Sequence, residues 1–306
     1  MDWWLVSLLS ALVLCPLLPG LVNRVKAFFA GRSGPSLFQL YYDLFKLLKK
    51  GRVYSLTSCG LVGLSPWFSL VCVVVALLFM PLGMCDSPLR FTGDVILFLY
   101  LLVLSRLLMV LGALDAGTSF EGMGSSRKVH FSALSELVLL GAVVFLICLT
   151  GRMDLSGLLN SAGVASWGRY GVLLLLTSLG LYIVMLSECC RGPFGDPDTQ
   201  LELAMIDEAM VLDYSGSDLA AIRYAASLKM WVFGSLFVMV LLPADLLDGF
   251  QGWLAYSSSI FATALSIGVI ESVMARYRFK KIPQVLLAGF GLTLISLVFL
   301  LFFGGR

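Results

Sequence analysis

The sequence predicts an all-α polytopic membrane protein, with about eight transmembrane helices and an interfacial amphipathic helix after the first. Three observations predict it. Of 306 residues, 59% are hydrophobic and only 13% charged, whereas a soluble domain runs near half and a quarter. Eight apolar stretches approach the roughly 20 residues needed to cross a bilayer core, at 3–22, 62–83, 93–114, 131–150, 170–188, 228–247, 253–272 and 284–303. The basic residues are also asymmetric. With alternate connections on one side, sixteen of the 21 Lys and Arg fall there, four fall opposite and Arg106 lies within a span. The positive-inside bias then places both termini outside and the polar connections in the cytoplasm, in an inner (plasma) membrane. This composition excludes a soluble enzyme, a nucleic-acid binder and a disordered chain, and a net charge of +2 implies no polyanionic partner.

The first stretch follows Met1-Asp2-Trp3-Trp4, which lacks the basic start of a signal peptide, so it reads as a retained span. Pro16, Pro19 and Gly20 predict a kink or stop at its lower end. Ser36–Lys50 places Leu37, Leu40, Tyr41, Leu44, Phe45, Leu47 and Leu48 on one broad face and Gln39, Asp43, Lys46 and Lys50 on the opposite one. A helix of that moment and length lies in the membrane interface. It is either a surface anchor or the lip of a lateral opening for a lipophilic ligand. Gly34-Pro35 and Gly51 bound it. A tight hairpin is expected through Asp245–Gly252, and the cytoplasmic loops are expected at 23–61, 115–130, 189–227 and 273–283. No internal repeat or linker divides the chain, so 1–306 reads as one membrane domain.

Seven cysteines form no C-x-x-C pair, and His130 is the sole histidine. That inventory makes no convincing zinc, haem or iron–sulfur site. The chain is expected to hold no metal and no catalytic residue, with any redox centre on another chain.

Charges inside spans are costly and usually pair or mark a pathway. Arg106 lies deep in span three, and Asp115 and Glu136 are its candidate partners. The result is either a structural ion pair or a proton relay, since a buried carboxylate of raised pKa exchanges protons near neutrality. The connection from Glu188 to Lys229 holds eight of the 19 acids. If 197–212 is helical, Asp198 and Glu202 share a face with Met205, Ala209 and Leu212, whereas Asp207 and Glu208 point elsewhere. Pro197 suits the first turn of such a helix. Carboxylates set in an apolar face suggest burial or contact with a partner.

These residues carry a resemblance. Arg191-Gly-Pro-Phe-Gly-Asp-Pro-Asp-Thr-Gln-Leu-Glu202-Leu, followed by Glu208-Ala-Met-Val-Leu-Asp213-Tyr-Ser-Gly216, resembles a cytoplasmic-loop motif of the complex I subunit 1 family. That membrane subunit anchors the peripheral arm of complex I and of energy-converting nickel–iron hydrogenases. Gly31-Arg-Ser-Gly-Pro35 is similar to the family's R-x-G-P. Leu114-Asp115-Ala-Gly-Thr with Gly122-Met-Gly-Ser-Ser-Arg127 is similar to its loop between spans three and four. Arg127 and Glu136 stand nine apart as the family's Arg and Glu do, and Glu271-Ser-Val-Met-Ala-Arg276-Tyr-Arg278 resembles the end of its span seven. Leu203–Gly216 favours the hydrogenase branch, of the formate hydrogenlyase subunit 4 and hydrogenase-4 component C type. Gln200 replaces an acid typical of the quinone-reducing branch, and Asp198 and Asp213 are shorter than the family's usual Glu.

The resemblance implies a non-catalytic chain of a multi-subunit oxidoreductase: the membrane anchor and coupling subunit of a group 4 hydrogenase. Hydrogenase large and small subunits and iron–sulfur subunits, carrying the nickel–iron centre and iron–sulfur clusters, would dock on its loops. Antiporter-like membrane subunits beside it would move H⁺ or Na⁺. The coupling set is Glu136, Glu202, Glu208, Asp213, Asp198, Glu188, Asp115 and Glu271, with Arg106, Arg127 and Lys229 as counter-charges. Partner docking falls to Arg191, Asp207, Tyr214, Arg276 and Arg278. The alternative is the quinone-chamber subunit of a complex I-like NADH/quinone oxidoreductase. A free-standing transporter would call for an inverted repeat, which the sequence lacks. A purely structural anchor differs in having no ion pathway.

Overall fold

The computed structural model describes residues 3–55, 58–83, 86–161, 164–195, 205–242 and 249–303. Among them every regular element is helical: α1 (Trp3–Leu14), α2 (Leu17–Phe29), α3 (Gln39–Leu48), α4 (Leu61–Phe79), α5 (Asp94–Ala116), α6 (Ser119–Thr150), α7 (Leu155–Asn160), α8 (Val164–Glu188), α9 (Gly216–Leu241), α10 (Gly249–Val273) and α11 (Ile282–Phe303). Short 3-10 turns at Glu208–Val211 and Phe279–Lys281 complete them. Among the described residues seven helices are long and apolar enough to cross a membrane, or up to eight spans if the bent pair α1 and α2 is counted as one. The chain is a multi-pass membrane protein.

The break in the first span falls where the prolines put it. Pro16 caps α2, and the two segments meet at 49°. Pro19 then sits in the first turn of α2, where a missing N–H costs no helical bond. The amphipathic helix forms as α3, ten residues long and against α2 and α9. Its Phe38, Tyr42, Phe45 and Leu48 ridge is exposed. Gln39 Nε2 donates to Asp43 Oδ1 at 3.1 Å.

Three expectations need correction. The loop expected at 115–130 is almost absent. Only Gly117 and Thr118 separate α5 from α6, whose 32 residues begin at Ser119. Such a helix is roughly 48 Å long, so its polar first turns extend beyond a bilayer core of about 30 Å. Hydropathy misses those turns because they are helical without being apolar. Likewise 216–227 is not loop but the start of α9. No continuous helix runs to residue 212: Met205–Asp207 is irregular, and only the single turn Glu208–Val211 follows. Asp198 and Glu202 lie outside the described residues, as do 245–248 of the hairpin expected at 245–252, whose remaining residues begin α10.

α9 is the axis of the packing. It touches α1, α2, α3, α4, α7, α8 and α10, and 72% of its apolar window is buried, against 28% for α11. In lipid, helices associate through close packing and interhelical hydrogen bonds rather than hydrophobic transfer. Both occur. Gly141 of α6 and Gly180 of α8 each leave room for Thr293 of α11, where an added Cβ would meet it at 2.8 and 2.7 Å. Ser69–Ser105 (2.8 Å) joins α4 to α5, Thr177–Ser296 (3.0 Å) joins α8 to α11 again, and Ser235–Tyr256 (2.6 Å) joins α9 to α10, each bond worth about 0.6 kcal/mol. At the N-terminus of α9, Gly216 takes φ +59, and a Cβ there would lie 2.6 Å from the Gly51 carbonyl.

Asp94 acquires a structural role. Fully buried at the start of α5, it accepts from the Leu155 N–H at 2.6 Å and fixes the short helix α7. Arg90 bridges Asp154 (2.7 Å) and Asp86 (3.1 Å) beside it.

Candidate functional site: a buried line of alternating charge

α5, α6 and α8 bring their charges together at their basic end. Arg106, midway along α5, is 11% exposed; its Nη1 lies 2.6 Å from Glu188 Oε1 and its Nη2 3.5 Å from Glu136 Oε2. Glu188, the last residue of α8, also accepts from the Ser135 hydroxyl. Its other oxygen lies 4.0 Å from Lys128 Nζ, which donates to Asp207 Oδ2 at 2.9 Å. The order Glu136, Arg106, Glu188, Lys128, Asp207 therefore alternates in sign. The three central members are nine-tenths buried, whereas Glu136 and Asp207 at the ends are about one-third exposed.

Lys229 of α9 faces the same cluster. It lines the space beside Glu136 and a second cavity of about 650 Å³ beside Asp207. It makes no hydrogen bond or ion pair within 4 Å among the described residues. With Lys229 the cluster holds three cations and three carboxylates, so it is neutral when all are ionised. Neutrality is what a low-dielectric site demands of buried charge. Adding or removing one proton leaves a full uncompensated charge, so occupancy at one member bears on all the others.

The remaining expected residues are placed elsewhere. Asp115 is not a partner of Arg106. It accepts from the N–H groups of Cys59 (3.0 Å) and Val62 (3.2 Å) and caps α4. Glu271 is buried at the end of α10, accepting from Gly192 N–H at 2.9 Å with Lys26 at 3.5 Å and Arg191 at 3.9 Å. Arg127 donates to the Met205 carbonyl at 3.0 Å and lies 4.7 Å over the Phe279 ring, tying α6 to the loop and to the last turn. Two residues assigned to docking are turned inward. Arg191 is 7% exposed, and Tyr214 is 5% exposed with its hydroxyl 2.9 Å from Ser65 Oγ. Burial pushes the Tyr214 phenol up to about 12. Arg278 is exposed beside Lys280 and Lys281 on an open face spanning 274–281.

In the loop, burial and the adjacent Asp207 push the Glu208 carboxyl up to about 7. The side chain of Asp213 is exposed, and its N–H donates at 3.2 Å to Glu121 Oε1. Glu121 escaped the sequence analysis. It is fully buried, and its Oε2 has no partner among the described residues. In sequence, an acid in the first turn of a helix reads as complementing the helix dipole. Asp218 was likewise missed: 1% exposed, it gathers Tyr54 (2.7 Å), Trp67 (3.1 Å) and Arg52 (3.3 Å). Among the described residues, no group of three or more His, Cys, Asp or Glu is placed to hold a metal ion.

The sequence profile of the NADH dehydrogenase family matches residues 3–304. The chain belongs to the NADH dehydrogenase family. Within reach of it are two curated proteins of Escherichia coli (strain K12). Hydrogenase-4 component C is 30% identical over 297 residues, covering 94% of this chain and 92% of that protein. Formate hydrogenlyase subunit 4 is 29% identical over 307 residues, covering 97% and 98%. The fold is also that of a chain in the membrane-bound sulfane sulfur reductase, an archaeal respiratory membrane complex. That chain has a TM-score of 0.83 at 18% identity, covering 96% of this chain and 97% of the other. The NADH dehydrogenase family is the one whose motifs the sequence carries, and the hydrogenase relatives belong to the branch those motifs favoured.

Proposed function

We propose that this chain is the membrane anchor and coupling subunit of a group 4 membrane-bound hydrogenase complex of the formate hydrogenlyase type. It sits in the plasma membrane with its termini outside and its basic loops in the cytoplasm. Hydrogenase large and small subunits and iron–sulfur subunits dock against the loop at 205–215 and the face formed by Arg276, Arg278, Lys280 and Lys281. Their nickel–iron centre and clusters supply the electron transfer, and antiporter-like subunits alongside move H⁺ or Na⁺.

The observation that carries the reading is the line from Glu136 through Arg106, Glu188 and Lys128 to Asp207. One end lies among spanning helices, and the other lies in the loop that partners would touch. A charge change at a docked redox subunit is felt first at Asp207 and Glu208. Asp207 then holds Lys128 less or more strongly, Lys128 shifts its hold on Glu188, and the Arg106 guanidinium redistributes between Glu188 and Glu136. Lys229 supplies the nearby positive charge that balances whichever carboxylate is left ionised. Asp198, Glu202, Asp213, Asp115, Glu271 and Arg127 stay in this reading as members or supports of the coupling set.

The test uses membrane vesicles with the complete complex. In vesicles of Glu136→Gln, which neutralises the one-third exposed end of the line and leaves the Arg106–Glu188 pair intact, assembly and H₂-dependent dye reduction should persist while H₂-driven ion gradient formation falls at least tenfold, the factor given by about 1.4 kcal/mol of lost coupling. A full gradient in that variant would refute the relay. Absence of nickel in the purified complex would refute the hydrogenase assignment.

A further inference from the structure

Where α2, α3 and α9 converge they leave a cleft of about 870 Å³ whose charge the coupling line does not use. Arg191 lies in its wall, 7% exposed, and Arg223 stands at its mouth. Arg191 Nη1 makes no hydrogen bond among the described residues; the nearest carboxylate oxygen, on Glu271, is 3.9 Å away, beyond hydrogen-bond reach. Arg223 lies 3.8 Å from Asp43, which is already engaged by Gln39. Lys26 is 3.5 Å from the second oxygen of Glu271. Two guanidinium groups and one carboxylate, that of Asp43, thus line the cleft, and among the described residues one buried guanidinium nitrogen has no acceptor. Leaving a charged donor unmatched in a buried wall is expensive, and the cleft beside it is open.

We propose that this cleft is a binding site for the phosphate headgroup of an anionic phospholipid. The guanidinium fork of Arg191 matches phosphate oxygens, and a basic pocket between spanning helices is a recognised kind of lipid-headgroup site. The surroundings favour a lipid over a free anion. α3 presents exposed Phe38, Phe45 and Leu48, and the end of α2 presents exposed Phe28 and Phe29, so acyl chains leaving the cleft meet apolar surface. α3 has both faces in use: Gln39 and Asp43 line the cleft, and its aromatic ridge is left to lipid. Ala226 of α9 lines this cleft and the cavity beside Lys229, so a headgroup here sits one helix wall from the coupling cluster.

The experiment is native mass spectrometry of the complex after delipidation in detergent and back-titration. The probes are phosphatidylglycerol, phosphatidylcholine of equal chain length, inorganic phosphate and a short-chain quinone. Phosphatidylglycerol should be retained in preference to phosphatidylcholine by about tenfold, the scale of one to two charge contacts near a membrane surface. Ala226→Phe, which fills the cleft, and Arg223→Gln, which leaves the Arg191–Glu271 contact intact, should each remove that preference. Equal retention of the two lipids, retention of neither, or a preference unchanged in both variants would overturn the proposal. Displacement by phosphate would reassign the site to a free anion, and displacement by the quinone would reassign it to a quinone headgroup.

Discussion

Arg106 Nη1 lies 2.6 Å from Glu188 Oε1 across 82 residues of sequence, joining the middle of α5 to the last residue of α8. Both side chains are about nine-tenths buried. Breaking such a pair from one side leaves an uncompensated buried charge, at a cost of about 3–5 kcal/mol. Arg106→Met should therefore lower the melting temperature of the detergent-solubilised complex sharply. Arg106→Met combined with Glu188→Met should recover much of the loss. Additive losses in the double-mutant cycle would mean that the two groups do not act as a pair.

Glu208 makes the loop at 205–215 sensitive to pH. Its carboxyl is raised from 4.5 to about 7 in the folded chain by burial, then by Asp207. The folded state therefore holds the proton more tightly than the unfolded state. Its contribution to stability is fully present below about 4.5 and is lost as pH rises through about 7. Hydrogen exchange of 205–215, corrected for intrinsic rates, should show less protection at pH 8 than at pH 6. Glu208→Gln should flatten that dependence. Identical protection at the two pH values in the wild type would contradict the assignment.

Glu121 holds the same loop from below through the Asp213 N–H at 3.2 Å. Glu121→Gln keeps an acceptor in place and should leave the melting temperature near that of the wild type. Glu121→Ala removes the acceptor and should cost about 1 kcal/mol. Equal losses in both variants would show that the carboxylate charge, not the acceptor, matters at this position.

The spans were legible because bilayer thickness imposes a length on apolar runs, and the bend at Pro16 because proline chemistry is local. The amphipathic helix was legible because Leu40, Leu44 and Leu47 keep helical spacing. What escaped depends on tertiary placement. Of the two carboxylates expected near Arg106, Glu136 lies 3.5 Å away, but Asp115 turns its carboxylate to the first turn of α4. Glu188 supplies the shorter contact from α8, a relation no spacing within α5 reveals. Residues 119–130 read as loop because Glu121, Arg127 and Lys128 break the apolar pattern. Each is polar for a reason that appears only when the neighbouring helices and the loop are in place. The resemblance implied a docking role for Arg191, yet the chain folds it inward.

α6 runs without a break from Ser119 to Thr150. Glu121, Lys128, Ser135 and Glu136 therefore ride on one stiff rod, and Lys128 and Glu136 are held about 12 Å apart along its axis. A rigid displacement of α6 would carry Lys128 and Glu136 together, with no joint between them to absorb it. The spacing of Lys128 and Glu136, two of the five members of the charge line, is thereby fixed by a single helix.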